Sequence, residues 1–223
     1  MYNVKMNFLR TNFIFQTDRA ELQIQVKKFS HWVGGRVLDV GSCPFDRYSH
    51  LFKFDEYIRM DVPGTPNVDV HGYAEAIPFP DESFDTIVCT QTLFCLWDVH
   101  KVFTEFNRVL KKGGVLFMTD AFMNPLQIGG GYWRFTPYAY EKLSEEGGFK
   151  VEVIEARGNY WSVRAQMAVS RQIRKRDLFN SRIGRVWSFF FKLYGKFMIW
   201  RDAFEKNEVV TVSHGHILVA TKK

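Results

Sequence analysis

Two carboxylates, Asp39 and Asp61, each close a short apolar run, and Gly41 follows the first of them. A carboxylate at the end of a buried strand can hold an ammonium directly or through water, and one on the next strand can accept both hydroxyls of a ribose. Gly41 lets the backbone come close to a ligand. Further on, Ala74-Glu75-Ala76-Ile77-Pro78-Phe79 offers an apolar wall with a polar rim suited to a purine. Open α/β sheets bind ligands beyond the carboxyl ends of their central strands, so these groups matter only if the chain builds such a sheet.

The elements that would position them are legible. Residues 17–33 carry Leu22, Val26, Phe29 and Val33 at helical spacing, and Gly34-Gly35 stops them. Strands are expected at 36–41, 56–61, 68–70, 84–89, 115–120, 149–154 and 216–221. Residues 44–52 read as a turn and short helix. Between Asp98 and Leu110, Val99, Val102, Phe103, Phe106, Val109 and Leu110 share one helical face, with Lys111-Lys112 in the last turn and Gly113-Gly114 as the stop. Thr136-Pro137 opens a helix to about Glu146. Strand and helix alternating in this way predict a doubly wound, Rossmann-like, mostly parallel seven-stranded sheet. Its final strand would be antiparallel, after a helical insertion near the C-terminus. One domain is expected: a helical extension over 1–34, a core over 35–156, the insertion over 157–210 and the last strand over 211–223.

The run VLDVGS, an acid some twenty residues later, AEAIPFPDESFDTIVCTQTL and FNRVLKKGGVLFMTD together resemble the class I S-adenosylmethionine-dependent methyltransferases. The resemblance is to the small-molecule branch that includes the ubiquinone- and menaquinone-biosynthesis enzymes. It runs from about Gly35 to Ile154 and implies S-adenosylmethionine as cofactor. It would set Asp39 near the amino group of that cofactor, Gly41 and Ser42 along its methionine part, and Asp61, with Val62 beside it, at the ribose. Ala74 and Glu75 would flank the adenine; Thr90 and Gln91 would line the methionine side. The family's three-glycine loop is here Gly41-Ser42-Cys43-Pro44-Phe45, Tyr73 replaces the usual acid before Ala-Glu, and Phe94-Cys95 replaces a frequent Glu-His. Two readings stay open: an active methyltransferase, and a methyltransferase-like binding or scaffold protein.

The acceptor side is expected in Gly129-Gly130-Gly131-Tyr132-Trp133-Arg134, a glycine hinge before an aromatic-basic cluster. Trp133 could stack on a ring, Arg134 could hold a carboxylate or phosphate, and Tyr132 stands beside them. No catalytic base is assigned. His71, His100 and Asp120 are the nearest candidates, each read first as structural.

Other chemistries lack their residues. Cys43 and Asp46 occupy the second and third positions of a dinucleotide-binding glycine motif, and no phosphate-binding Gly-Lys-Ser/Thr loop exists. Cys43, Cys89 and Cys95 have no metal-ligand spacing and read as reduced thiols, so no metal is expected. The net charge of +6 is concentrated: residues 157–206 hold 12 Lys/Arg against 3 Asp/Glu, so the remainder is mildly acidic. That segment should meet an anionic partner. Within it, residues 182–204 carry eight aromatics, with Ile183, Val186/Trp187, Phe190, Leu193/Tyr194 and Phe197 as a helical stripe flanked by Arg and Lys. An anionic membrane surface, a lid and a homodimer interface all remain open for this stripe, while nucleic acid is disfavoured. With no signal sequence or spanning helix read, a cytoplasmic protein, peripheral to membrane through 182–204, is the expected setting.

Overall fold

A computed structural model describes residues 14–123, 131–181, 183–204 and 212–223. Its seven strands are β1 (Arg36–Val40), β2 (Glu56–Asp61), β3 (Val70–His71), β4 (Phe84–Thr90), β5 (Leu110–Ala121), β6 (Phe149–Arg157) and β7 (Gly215–Lys222). Five helices accompany them: α1 (Thr17–Phe29), α2 (Val99–Val109), α3 (Pro137–Glu146), α4 (Tyr160–Arg176) and α5 (Gly184–Asp202). One mixed sheet runs in the order β3-β2-β1-β4-β5-β7-β6. β1 through β5 pair in parallel with their neighbours, and β7 runs antiparallel to β5. The doubly wound sheet with a reversed last strand is therefore as expected.

The chain separates into two compact units. One contains residues 25–122, 131–155 and 215–223, and so nearly all of the sheet. Its core is built from the alternating faces of the central strands and the apolar face of α2: Leu38, Ile87, Leu116 and Leu218 meet Val102, Phe106 and Val109. The other contains the start of α1, the end of β6, α4 and α5. There Ile14, Val169, Ile173, Leu178 and Phe191 form a smaller core. A buried ion pair, Arg157 Nη2 to Asp18 Oδ1 at 2.8 Å, lies in the same unit.

Several boundaries differ from expectation. Lys111-Lys112 are not the last turn of α2. Leu110 is already extended at φ −74°, ψ 140°, and the strand begins there. The register with β4 shifts between Phe84 and Thr86 to absorb the glycine pair, a bulge in the ladder. The ion pair from Lys111 to Asp85, at 2.8 Å, then lies across strands. The third strand is only Val70–His71, starting two residues and ending one residue later than the pattern suggested; ahead of it Asp69 turns its carboxylate onto the Arg59 N–H at 2.8 Å. The first helix ends at Phe29 in a short 3-10 turn, Ser30–Trp32.

Candidate functional site

Parallel pairing brings the carboxyl ends of β1, β2 and β4 to one edge. Val37 is level with Tyr57, Asp39 with Arg59 and with Val88. Val37, Leu38 and Val40 fix β1 in the core, and Asp39 is carried into it with them. Its Oδ2 accepts the Tyr57 hydroxyl at 3.0 Å, while Oδ1 is buried with no hydrogen-bond partner. Burial pushes the Asp39 carboxyl up to about 7, against the Tyr57 hydrogen bond and the charge of Arg59. Tyr57 in turn is driven well above the usual phenol range by burial and by the Asp39 charge.

Gly41 has φ +74°, and a Cβ there would come within 2.3 Å of Thr92 Oγ1. Thr92 reaches into that space and bonds the carbonyls of Thr90 at 3.1 Å and Gly41 at 3.3 Å. The N–H groups of Gly41 and Ser42 both donate to Met60 O, at 2.9 and 3.2 Å. The turn after β1 is thus tied to β2 and to the loop after β4. Cys43, also left-handed at φ 63°, donates its N–H to Asp61 Oδ2 at 2.8 Å. Asp61 Oδ1 accepts from Val62 N at 2.7 Å and from Thr65 Oγ1 at 3.3 Å.

Beyond β3, Tyr73 and Ala76 form an isolated bridge that sets Ala74 inward and leaves Glu75 half-buried. The following turn is clamped by α2. Arg108 donates to Ile77 O at 2.9 Å, Phe79 O at 2.8 Å and Asp81 Oδ1 at 2.8 Å, and Glu105 Oε2 accepts from Ile77 N at 2.8 Å. Arg108 also bonds Glu105 through two nitrogens, each at 2.8 Å. This hydrogen bonding holds the Glu105 carboxyl below its usual range.

Past β4, Gln91 takes a left-handed φ of 55°, its N–H donating to Thr119 O at 2.6 Å and its amide to Thr119 Oγ1 at 3.4 Å. Thr90 ends the strand level with Thr119. Asp39, Gly41, Ser42, Asp61, Val62, Thr90 and Gln91 therefore come together on the edge of three adjacent strands, with Ala74 and Glu75 in the turn after β3. Of the three candidate bases, Asp120 is buried and accepts Phe94 N at 3.1 Å, and His71 is exposed and level with Asp61. His100 sits in the first turn of α2, 3.4 Å from Glu146 Oε2.

Gly129 and Gly130 lie outside the described residues. Trp133 is anchored: its N–H donates to Phe94 O at 3.2 Å and its indole to Leu96 O at 2.8 Å. Tyr132 and Trp133 gather around Trp97, with ring centroids 5.3 and 6.0 Å away. Trp97 is 69% and Tyr132 61% exposed, so an aromatic ledge faces solvent. Arg134 lies over the Phe94 ring at 5.7 Å.

Three residues were missed by sequence reasoning. Tyr57 could have been found, since alternation in Glu56–Asp61 puts Tyr57 and Arg59 on the Asp39 face. Thr92 and Arg108 carried no such signal, because their roles depend on contacts across loops.

Residues 52–118 match the family described as a methyltransferase domain. A probable S-adenosylmethionine-dependent methyltransferase of Mycolicibacterium smegmatis is 33% identical over 99 residues, 39% of this chain and 37% of that one. YcgJ of Bacillus subtilis, an uncharacterised methyltransferase, is 45% identical over 49 residues, 22% of this chain and 19% of its own. The crystal structure of YcgJ superposes with a TM-score of 0.55 and 18% identity over 92% of this chain and 99% of that one. The [4+2]-cyclase SpnF superposes at 0.58 and 19% identity, over 92% of this chain and 81% of that one. The matched stretches span 19% to 37% of the curated relatives' lengths.

Proposed function

We propose that this chain is a class I S-adenosylmethionine-dependent methyltransferase, as its match to the methyltransferase-domain family and to a probable methyltransferase supports, and that it transfers a methyl group to a small-molecule acceptor, free or carried on a lipid or glycan. The single observation that carries this reading is the buried Asp39 carboxyl, whose Oδ1 lacks a donor at the end of a central strand. An unpaired buried carboxylate is costly, and an ammonium beside it would supply both the donor and the counter-charge. The residues present fit the amino-acid end of the cofactor on that ground.

Asp61 fits a ribose less freely. Its Oδ2 already takes one backbone N–H and its Oδ1 two donors, so one lone pair of Oδ2 remains for a hydroxyl. Val62 stands exposed beside it, Ala74 and Glu75 would flank the adenine, and Thr90 and Gln91 would border the methionine side. Gly41 and Ser42 act through the path of the turn, because their N–H groups are spent on Met60. Bound S-adenosylmethionine supplies a methyl group made electrophilic by its sulfonium. The protein's share is then mainly alignment of the acceptor in line with that methyl.

The exposed ledge of Trp97, Tyr132 and Trp133, with Arg134 beside it, supports a ring- or sugar-bearing acceptor with an acidic group. A lipid-linked acceptor would be met at a membrane surface, with the chain peripheral to it. SpnF shares the fold and catalyses a cyclisation, so the fold alone does not choose the reaction.

Titration calorimetry with S-adenosylmethionine and S-adenosylhomocysteine tests the reading. Micromolar binding is expected, weakened about tenfold or more by Asp39→Asn and abolished by Asp61→Ala. A folded wild-type protein that binds neither ligand would establish instead a scaffold that keeps the fold without the cofactor.

A further inference from the structure

α5 turns two dissimilar faces outward and inward. Gly184, Phe191 and Gly195 are buried, and Phe191 joins Val169 and Ile173 of α4 in the smaller core. On the opposite side Val186, Phe190, Leu193, Phe197, Trp200 and Phe204 are each more than half exposed. Their spacings are four, three, four, three and four residues, which at 3.6 residues per turn confines them to an arc of about 80°. Trp187, an alternative member of the stripe by sequence, is instead half-buried, with Arg176 over its ring at 4.6 Å. An exposed apolar stripe six residues long marks a surface that meets something.

The charges choose the occupant. Arg185, Lys192 and Lys196 are exposed along one edge of the stripe. Along the other edge, Arg171 of α4 lines a shallow groove of about 330 Å³ together with Phe190 and Tyr194. Arg164 and Lys175 are exposed on α4 at seven residues before and four after Arg171. The one acid between Gly184 and Asp202 is Asp202 itself, and its carboxylate is taken up by the N–H groups of Asn159, Trp161 and Ser162 at 2.9–3.2 Å. The stripe is thus bordered by cations on both sides. A second copy laid against it would oppose like charges across the seam, with no carboxylate from α5 to relieve them. A nucleic acid would pair with the edges but leave the aromatic centre uncovered.

We propose that the exposed face of α5 lies flat on an anionic lipid bilayer. The aromatic stripe enters the boundary between headgroups and acyl chains, and Arg171, Arg185, Lys192 and Lys196 meet the lipid phosphates. Among the described residues no helix is long and apolar enough to cross a membrane, so this contact is interfacial.

Co-sedimentation of the full chain with vesicles provides the test. Vesicles of phosphatidylcholine mixed with phosphatidylglycerol should bind at least about tenfold more strongly than phosphatidylcholine alone, and added salt should erode the difference. Lys192→Glu/Lys196→Glu should weaken binding to anionic vesicles roughly thirtyfold or more. Phe197→Ser/Trp200→Ser should weaken binding to the same vesicles at least about tenfold. Both pairs are exposed, so thermal melting should be unchanged. Equal binding to neutral and anionic vesicles would overturn the proposal. So would a dimer in sedimentation equilibrium that Phe197→Ser/Trp200→Ser splits, or RNA binding without vesicle binding.

Discussion

Tyr57 Oη donates to Asp39 Oδ2 from the neighbouring strand at 3.0 Å, and the other oxygen of that carboxyl is buried without a donor. One hydrogen bond is too little to keep a fully enclosed carboxylate charged, so the group titrates near neutrality. The site therefore holds a proton that a cationic ligand would expel, and this couples stability, affinity and pH at one residue.

The first consequence is for stability. The Asp39 carboxyl lies at about 7 in the folded chain against 3.8 as a free side chain. Below pH 3.8 both states are protonated at Asp39 and its contribution is fully present. Between about pH 4 and 7 the unfolded chain releases the proton first, so stability falls as pH rises, by a few kcal/mol in all. Asp39→Asn should flatten this slope and raise stability near neutral pH. Urea midpoints measured across that range would decide it; an unchanged slope in Asp39→Asn would show that another group is responsible.

The second concerns binding. Near pH 6 most of the Asp39 carboxyl is protonated, and an ammonium placed beside it favours the carboxylate. Binding of S-adenosylmethionine should then release close to one proton, and affinity should rise up to about tenfold per pH unit until pH 7. Calorimetry in buffers of different ionisation enthalpy reads the proton count directly. Zero proton release at pH 6, with binding intact, would remove Asp39 from the amino-group role.

Most of the sheet was legible because its strands are short runs with β-branched centres, as Phe84–Thr90 illustrates, or stop at a glycine or an acid, as Arg36–Val40 and Glu56–Asp61 do. Asp39 and Asp61 were legible as strand-end acids. What they bond was not. The Cys43 N–H that occupies Asp61 depends on a left-handed φ at a non-glycine residue, which composition does not advertise. Nor could helical periodicity tell Lys111 as a helix end from Lys111 as the start of a bulged strand, since either ending satisfies the same glycine pair. The α5 stripe could be read, but its orientation could not: only the buried Phe191 and Gly195 reveal which side faces outward.

Gly41 offers a test of packing against backbone strain. A Cβ at Gly41 would meet Thr92 Oγ1 at 2.3 Å and Cγ2 at 2.4 Å, and φ +74° is unfavourable for alanine besides. Gly41→Ala should cost about 2–4 kcal/mol in urea denaturation. Adding Thr92→Gly should recover part of it, leaving a residual of about 1 kcal/mol from φ alone. Strict additivity of the two substitutions would mean that the contact is not the cause.

Arg108 explains why Ile77-Pro78-Phe79-Pro80-Asp81 keeps one shape. Replacing it by Met would strand the carbonyls of Ile77 and Phe79 and release Glu105 and Asp81. A loss of about 2 kcal/mol is expected, with Arg108→Lys intermediate because an ammonium cannot span all the acceptors at once. The same turn borders Ala74 and Glu75, so weaker adenosine binding should accompany the loss. Arg108→Met with full stability and full affinity would assign the clamp no role.

Asp202 is the joint between the two helices of the basic unit. Its carboxylate accepts Asn159 N at 3.2 Å and Trp161 and Ser162 N at 2.9 Å each, capping the first turn of α4 from the end of α5. Arg201 lies beside it over the Trp161 ring, 3.7 Å from its centre. Three donors at a helix N-terminus, where a negative charge is favoured by the helix dipole, make this worth more than an ordinary cap. Asp202→Ala should therefore cost about 2 kcal/mol, concentrated in α4 and α5. Hydrogen exchange at the amides of residues 161–163 should accelerate while β4 and β5 keep their protection. Acceleration spread evenly over the sheet would show instead that the carboxylate acts on the stability of the chain as a whole.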